Sequence, residues 1–87
     1  MTTKYTVNLS RQAEHFYKKL EKKVKDKVCE CMLLLETETY CGKRLHGDLK
    51  GNYSLRVGKK IRIIYSVSEK EKAVCIVAIG LRRNVYE

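Results

Sequence analysis

Three strand-like segments separated by short polar turns fill the C-terminal half of the chain, and they limit its possible folds more than any other feature. "YSLRV" (Tyr53 to Val57) and "IRIIYSV" (Ile61 to Val67) alternate apolar and polar residues, whereas "AVCIVAI" (Ala73 to Ile79) is nearly all apolar. The connections "GKK" and "SEKEK" have the lengths of hairpin loops. We therefore predict three consecutive antiparallel strands, the last of them a central strand covered on both faces.

An amphipathic helical region lies before these strands. The chain begins with an alternating strand-like segment, "KYTVNL" (Lys4 to Leu9), and Ser10 is a good N-cap residue. Apolar residues then recur at steps of three and four as far as about Glu36: Ala13, Phe16, Tyr17, Leu20, Val24, Val28, Cys31, Met32 and Leu35. A single helix of this length would extend beyond so small a sheet, so we predict a turn near Leu20 to Lys23.

The order of these elements defines the fold class. Residues 36–52 contain three glycines and no clear periodicity, which predicts a loop. The whole chain, residues 1–87, then forms one α+β domain: an N-terminal strand, a two-helix hairpin and antiparallel strands that complete a four-stranded sheet. We expect both helices on one face of that sheet.

The charge of the chain favours an acidic partner. Lysine and arginine together number 19 against 10 acidic residues, which leaves a net charge of +9 on 87 residues. Such a field attracts nucleic acid, an acidic protein or both. No apolar run approaches the roughly 20 residues that cross a bilayer, and the N-terminus has no apolar signal segment, so we expect a cytoplasmic protein without a membrane partner.

The cysteines and acidic residues do not form a metal-binding pattern. Cys29, Cys31, Cys41 and Cys75 include no Cys-x-x-Cys pair, and the acidic residues are scattered through the sequence. We therefore expect reduced, mostly buried thiols, no metal and no cofactor.

Pairing of the first two C-terminal strands predicts a pair of arginines. If the apolar residues of both strands face the helices, a three-residue loop at Gly58 to Lys60 places Val57 opposite Ile61. Arg56 then lies opposite Arg62 on the face away from the helices. Like charges directly opposite each other destabilise a sheet, so this arrangement favours a site for an anion over a role in stability alone.

More basic and aromatic residues follow the last strand and occupy the preceding loop. The ending "IGLRRNVYE" brings Arg82, Arg83 and Tyr86 to the rim of the sheet, where one of the two adjacent arginines faces inward and the tyrosine ring can stack on a base. We expect RNA phosphates to contact four further basic residues: Lys43, Arg44, Lys50 and Arg83.

The stretches "GNYSLRVGKKIRIIYSV" and "IVAIGLRRNVY" resemble the RelE family of toxins, within the RelE/ParE superfamily of toxin–antitoxin systems. The resemblance implies a ribosome-dependent endoribonuclease that cleaves mRNA without a metal, with the RNA 2′-hydroxyl as nucleophile. By position, it assigns catalytic roles to Arg56, Arg62, Arg82 and Tyr86. It also implies an acidic RelB-like antitoxin as partner, ribosome and mRNA as targets, and a toxin–antitoxin heterotetramer as a possible assembly.

Departures from the family pattern leave the general base open. Ser54 stands where some relatives carry a further lysine, and Leu81 stands where many carry histidine. Arginine stays protonated and is a poor base, so Tyr86 and His46 are the candidates. The alternative function is that of ParE-type relatives, which share the fold, bind and poison DNA gyrase, and characteristically lack the arginine and tyrosine set.

Overall fold

One face of a β-sheet packs against two helices, and the strands carry apolar residues on that face. The computed structural model describes residues 4–47 and 51–81. Within them the elements are β1 (Thr6–Leu9), α1 (Arg11–Lys18), α2 (Lys22–Thr37), β2 (Lys43–Arg44), β3 (Asn52–Val57), β4 (Ile61–Ser68) and β5 (Ala73–Leu81). The strands lie in the order β1-β5-β4-β3-β2, with β1 parallel to β5 and the other pairs antiparallel. The predicted α+β class is confirmed, and the predicted elements follow one another in the predicted order, with one further strand, β2.

The sheet has five strands in the described residues, so the prediction of four was wrong. The additional strand is β2, in the segment that we predicted as loop. Lys43 pairs with Ser54 and Arg44 pairs with Tyr53, and the amide of Leu45 donates a hydrogen bond to Asn52 O at 3.0 Å. A two-residue strand is too short to show a period of two, so the sequence pattern carried no sign of it.

Gly42 lets the chain approach the sheet closely enough for β2 to form. The Gly42 amide donates to the Tyr65 hydroxyl at 2.9 Å, and that hydroxyl donates to Thr39 O at 3.0 Å. A Cβ atom at Gly42 would lie 2.6 Å from the Tyr65 hydroxyl and 2.8 Å from Ser54 O. Burial raises the pKa of Tyr65 to about 12, so its hydroxyl stays protonated and keeps donating near neutral pH.

Both helices have the predicted buried faces, and the turn between them overlaps the predicted range of Leu20 to Lys23 but begins one residue before it. The Ser10 hydroxyl caps α1 by accepting a hydrogen bond from the Ala13 amide at 3.1 Å. The predicted turn lies at residues 19–21, between α1 and α2. Every apolar helical residue of the predicted stripe either lies in the core or packs against it, and Ala13, Val28 and Leu35 are fully buried. None of the described helices is long and apolar enough to cross a bilayer.

The core fills the space between the helices and the sheet. Its largest fully buried side chains include Tyr65, Ile63, Ile76 and Ile79 from β4 and β5, together with Leu35 from α2. Tyr53 stacks on Tyr65 with ring centroids 5.3 Å apart. Burial of these side chains is the main favourable contribution to folding.

Strand β5 is not covered on both faces along its whole length, contrary to our prediction. Its register with β4 shifts between Ile64 and Tyr65, which inserts one extra residue in β5. Cys75 and Val77 are exposed, whereas Val74, Ile76 and Ile79 are buried. The four cysteines are free. Cys29 and Cys31 are half-buried, and Cys41 and Cys75 are exposed, so the expectation of mostly buried thiols was wrong.

Two side chains at the start of α1, those of Ser10 and Gln12, form hydrogen bonds with the backbone of β5 beyond the end of β1. The Ser10 hydroxyl donates to Val77 O at 2.7 Å. The Gln12 amide donates to Ile79 O at 3.3 Å and accepts from the Ile79 amide at 3.2 Å. These hydrogen bonds replace the ones that a neighbouring strand would form, and they hold the last residues of β5 in place.

A hydrogen-bonded cluster joins the β4–β5 turn to the N-terminal strand segment. The Glu69 carboxylate accepts from the Tyr5 hydroxyl at 2.6 Å and from the Tyr40 hydroxyl, and it pairs with Lys72 at 3.3 Å. These donors, Tyr40 first and then Tyr5, lower the pKa of Glu69 from 4.5 to about 2. The cluster links three segments that are far apart in the sequence.

We expect the stabilising effect of Glu69 to disappear in acid. Because its pKa is depressed in the folded state, Glu69 contributes stability that is complete above about pH 4.5 and is lost as the pH falls toward 2. Urea unfolding should therefore give a lower free energy of unfolding for Glu69→Gln than for wild type at pH 7. The difference between the two free energies should shrink as the pH falls from 5 to 2.5. Glu71→Gln, which removes a carboxylate from the same turn, should show a smaller difference. A Glu69→Gln difference that does not change with pH would contradict this account.

Candidate functional site

The predicted pair of arginines is present on the sheet. Arg56 of β3 lies directly opposite Arg62 of β4, one step from the Val57–Ile61 pair that closes the hairpin. Val57 and Ile61 belong to the core on the helix side, so the arginines lie on the other face. The register predicted from the sequence is confirmed.

Arg62 is the more enclosed member of the pair. It is half-buried, whereas Arg56 is exposed. Its Nη1 donates to the Ser54 hydroxyl at 3.1 Å, and Ser54 is only 4% exposed although it lies on the face away from the helices. Across β4, Gly80 of β5 is the register partner of Arg62 and adds no side chain beside the guanidinium group.

The short strand β2 adds a third cation to the same face. Lys43 is the register partner of Ser54, so it lies on the face of the two arginines, and its side chain is exposed. We use the term arginine face for this surface of β2 to β5, defined by Lys43, Ser54, Arg56, Arg62 and Gly80. Arg44 is the partner of Tyr53 and therefore lies on the opposite face at the sheet edge.

The charge of the arginine face suits an anion. None of its described register positions on β2 to β5 carries Asp or Glu. Two guanidinium groups side by side repel each other, and this repulsion is relieved when an anion binds between them. Arginine also offers a planar fork of N–H donors that fits the oxygens of a phosphate.

Four predicted site residues lie outside the described part of the chain: Lys50, Arg82, Arg83 and Tyr86. Strand β5 ends at Leu81, whose register partner is Ile61, next to Arg62 in the sequence. The last described residues of β5 therefore lie beside the arginine face, and Arg82 is the next residue in the sequence. The roles of these four residues stay predictions.

Other candidate groups lie apart from the arginine pair or do not form a site. His46 is exposed in the segment after β2. Within residues 4–47 and 51–81, no group of three or more His, Cys, Asp or Glu side chains could hold a metal ion. An open cavity of about 440 Å³ lies beside the C-terminal end of α2, and its lining residues are Tyr5, Thr37, Glu38, Thr39, Tyr40 and Cys41.

Ser54 is the site residue that sequence reasoning did not assign. The sequence showed it only as a departure from the family pattern, in place of a lysine. The signal that would have found it is the register, because Ser54 lies two residues before Arg56 on the same face and is therefore a diagonal neighbour of Arg62.

Comparison with known proteins places the chain in a family. Residues 7–87 match the family model of ParE-like toxins of type II bacterial toxin–antitoxin systems. A search of curated proteins gives no match.

Solved structures agree with this match. The chain is similar to a chain of the toxin–antitoxin complex RelBE2 from Mycobacterium tuberculosis, with a TM-score of 0.81 and 26% identity over 97% of this chain and 98% of that chain. It is also similar to a chain of the archaeal RelE–RelB complex from Pyrococcus horikoshii, with a TM-score of 0.75 and 28% identity over 98% and 100% of the two chains. A chain of the E. coli RelBE complex has the same fold at 19% identity, with a TM-score of 0.75 over 87% of this chain and 94% of that chain. The chain therefore belongs to the ParE-like toxin family of type II bacterial toxin–antitoxin systems, within the RelE/ParE superfamily.

Proposed function

We propose that this toxin is a ribosome-dependent, metal-independent mRNA endoribonuclease. The observation that carries the proposal is the juxtaposition of Arg56 and Arg62 on a sheet face whose described register positions include no carboxylate. Such a face suits a phosphodiester better than a neutral or cationic ligand.

The proposed reaction is a transesterification within the RNA. The 2′-hydroxyl loses its proton to a base and its oxygen forms a bond to the adjacent phosphorus, while the bond from phosphorus to the 5′-oxygen breaks. The leaving oxygen takes up a proton, so the products are a 2′,3′-cyclic phosphate and a 5′-hydroxyl. Negative charge builds up on the phosphoryl oxygens in the transition state, where positioned guanidinium groups stabilise it.

The residues take the following roles in this proposal. Arg62 and Arg82 contact the scissile phosphate, Arg82 assists the leaving oxygen, and Arg56 adds positive charge beside them. Tyr86 stacks on a base and orients the nucleotide. The RNA backbone on either side contacts Lys43, Lys50 and Arg83, whereas Arg44, which we had expected to join them, lies on the opposite face at the sheet edge.

The test compares RNA cleavage with gyrase inhibition, because the matching family model describes ParE-like toxins. Purified protein is added to ribosomes programmed with a defined mRNA, and in parallel to a DNA gyrase supercoiling assay. We expect cleaved mRNA that ends in a 2′,3′-cyclic phosphate, and unchanged supercoiling. Intact mRNA together with inhibited gyrase would overturn the proposal in favour of the ParE-type function.

We further propose an acidic RelB-like antitoxin as the partner that neutralises this toxin in the cytoplasm, in a toxin–antitoxin heterotetramer. The net charge of +9 favours an acidic segment, and a domain of 87 residues gains stability from a tightly bound partner. A partly disordered antitoxin that folds as it binds can wrap a large surface of this kind.

Association with such an antitoxin should depend strongly on salt. Electrostatic steering speeds encounter between oppositely charged proteins by about 10-fold or more, and salt screens it. Stopped-flow measurements with a RelB-like antitoxin that binds this toxin should show an association rate that falls by about 10-fold between low and high salt. An equal rate at both salt concentrations would contradict the electrostatic account.

A further inference from the structure

We propose that Ser54 is a positioning residue for Arg62: its hydroxyl holds the guanidinium group beside Arg56, so that the two arginines together receive one phosphate. This inference rests on the proposed function, since it assigns a role within the same site.

The register of the hairpin places Ser54, Arg56 and Arg62 on the same face of the sheet. Arg56 is opposite Arg62, and Ser54 precedes Arg56 by two residues on the same strand face. The Arg62 side chain therefore has Arg56 directly across and Ser54 on the diagonal. The bond from Arg62 Nη1 to Ser54 Oγ, at 3.1 Å, shows that the guanidinium group extends toward β3.

A hydroxyl has an advantage over a carboxylate in this position. A carboxylate would also fix the guanidinium group, but it would neutralise the charge that the phosphate needs. The serine oxygen accepts the hydrogen bond and leaves the full positive charge in place. Ser54 is 4% exposed and lies within a paired strand, so its own side chain is a rigid anchor.

Repulsion between two neighbouring guanidinium groups favours orientations that separate them, and the bond to Ser54 opposes this separation. Without that bond, the phosphate would have to bring both groups together as the reaction proceeds. A displacement of about 1 Å in a catalytic group can lower a rate by about 100-fold. The expected consequence is a loss in the chemical step with little change in RNA affinity.

The kinetic test is a double-mutant cycle. Ser54→Ala should lower the single-turnover cleavage rate by about 10- to 100-fold with a KM close to that of wild type, and Ser54→Thr, which keeps a hydroxyl, should recover part of the rate. If Ser54 acts through Arg62, Ser54→Ala should have almost no effect in the Arg62→Ala background. An equal loss in both backgrounds would overturn the proposal.

A second measurement separates this inference from the proposed function. NMR of arginine labelled with nitrogen-15 reports rotation of each guanidinium group, without any need for cleavage. We expect slow rotation for Arg62 in wild type and faster rotation in Ser54→Ala, with exposed Arg11 unchanged in both. Equal Arg62 rotation in the two folded proteins would overturn the positioning role even if wild type cleaves mRNA, whereas a wild type that does not cleave would count against the proposed function alone.

Discussion

Replacement of Arg62 by alanine should lower the rate of mRNA cleavage on programmed ribosomes by about 100- to 1000-fold, or roughly 3–4 kcal/mol in transition-state stabilisation. Arg62 is half-buried on a strand and hydrogen-bonded to Ser54, so it is a preorganised charged donor. Preorganised donors stabilise the charge that develops on the phosphoryl oxygens without having to reorient during the reaction. The measurement is the single-turnover rate, after circular dichroism has shown that the variant folds.

Companion substitutions separate the roles within the site. Arg82→Ala should cause a loss similar to that of Arg62→Ala. Arg62→Lys keeps the charge but not the planar fork, so it should recover only part of the rate. Tyr86→Phe keeps the ring, and a small effect would indicate that stacking rather than the hydroxyl is needed.

Arg11→Ala is the matched control for charge. Arg11 is exposed at the start of α1, and its replacement removes one arginine without changing the arginine face. We expect cleavage close to that of wild type. If Arg62→Ala and Arg82→Ala also cleave at the wild-type rate, the site is misassigned.

Gly42→Ala should destabilise the fold by about 1–3 kcal/mol, the usual cost of adding a methyl group to a well-packed site. The new Cβ would lie 2.6 Å from the Tyr65 hydroxyl and 2.8 Å from Ser54 O, which is backbone and cannot simply rotate away. Relief of these contacts would move β2 away from β3 and disturb the bonds that Tyr65 makes. Urea unfolding of both proteins at pH 7 measures the difference in the free energy of unfolding.

Lys43→Ala serves as the control for Gly42→Ala. Lys43 is the next residue and its side chain is exposed, so its removal should change the free energy of unfolding by less than about 0.5 kcal/mol. If Gly42→Ala is as stable as this control, close approach at Gly42 does not matter for the fold.

Much of the architecture follows from local patterns in the sequence. Apolar periodicity identified the helical region, the strands β1, β3 and β4, and the faces that they bury, because those faces must leave water whatever the details of packing. A continuous apolar run identified β5, although not which of its faces is covered. The same reasoning extended to the site. Once the apolar faces and the loop length were known, only one register was possible, and it placed Arg56 opposite Arg62.

Local patterns in the chain thus predict both helices, four of the five strands and the arginine pair, since each depends on residues close together in the sequence. Four other features appear only in the folded protein: the strand β2, the one-residue shift in β5, the Glu69 cluster and the bond from Arg62 to Ser54. Each of these depends on contacts between particular pairs of atoms. The Gly42 amide must approach the Tyr65 hydroxyl, Tyr5 must reach Glu69, and Arg62 must reach diagonally to Ser54, and apolar periodicity in the sequence does not report such contacts.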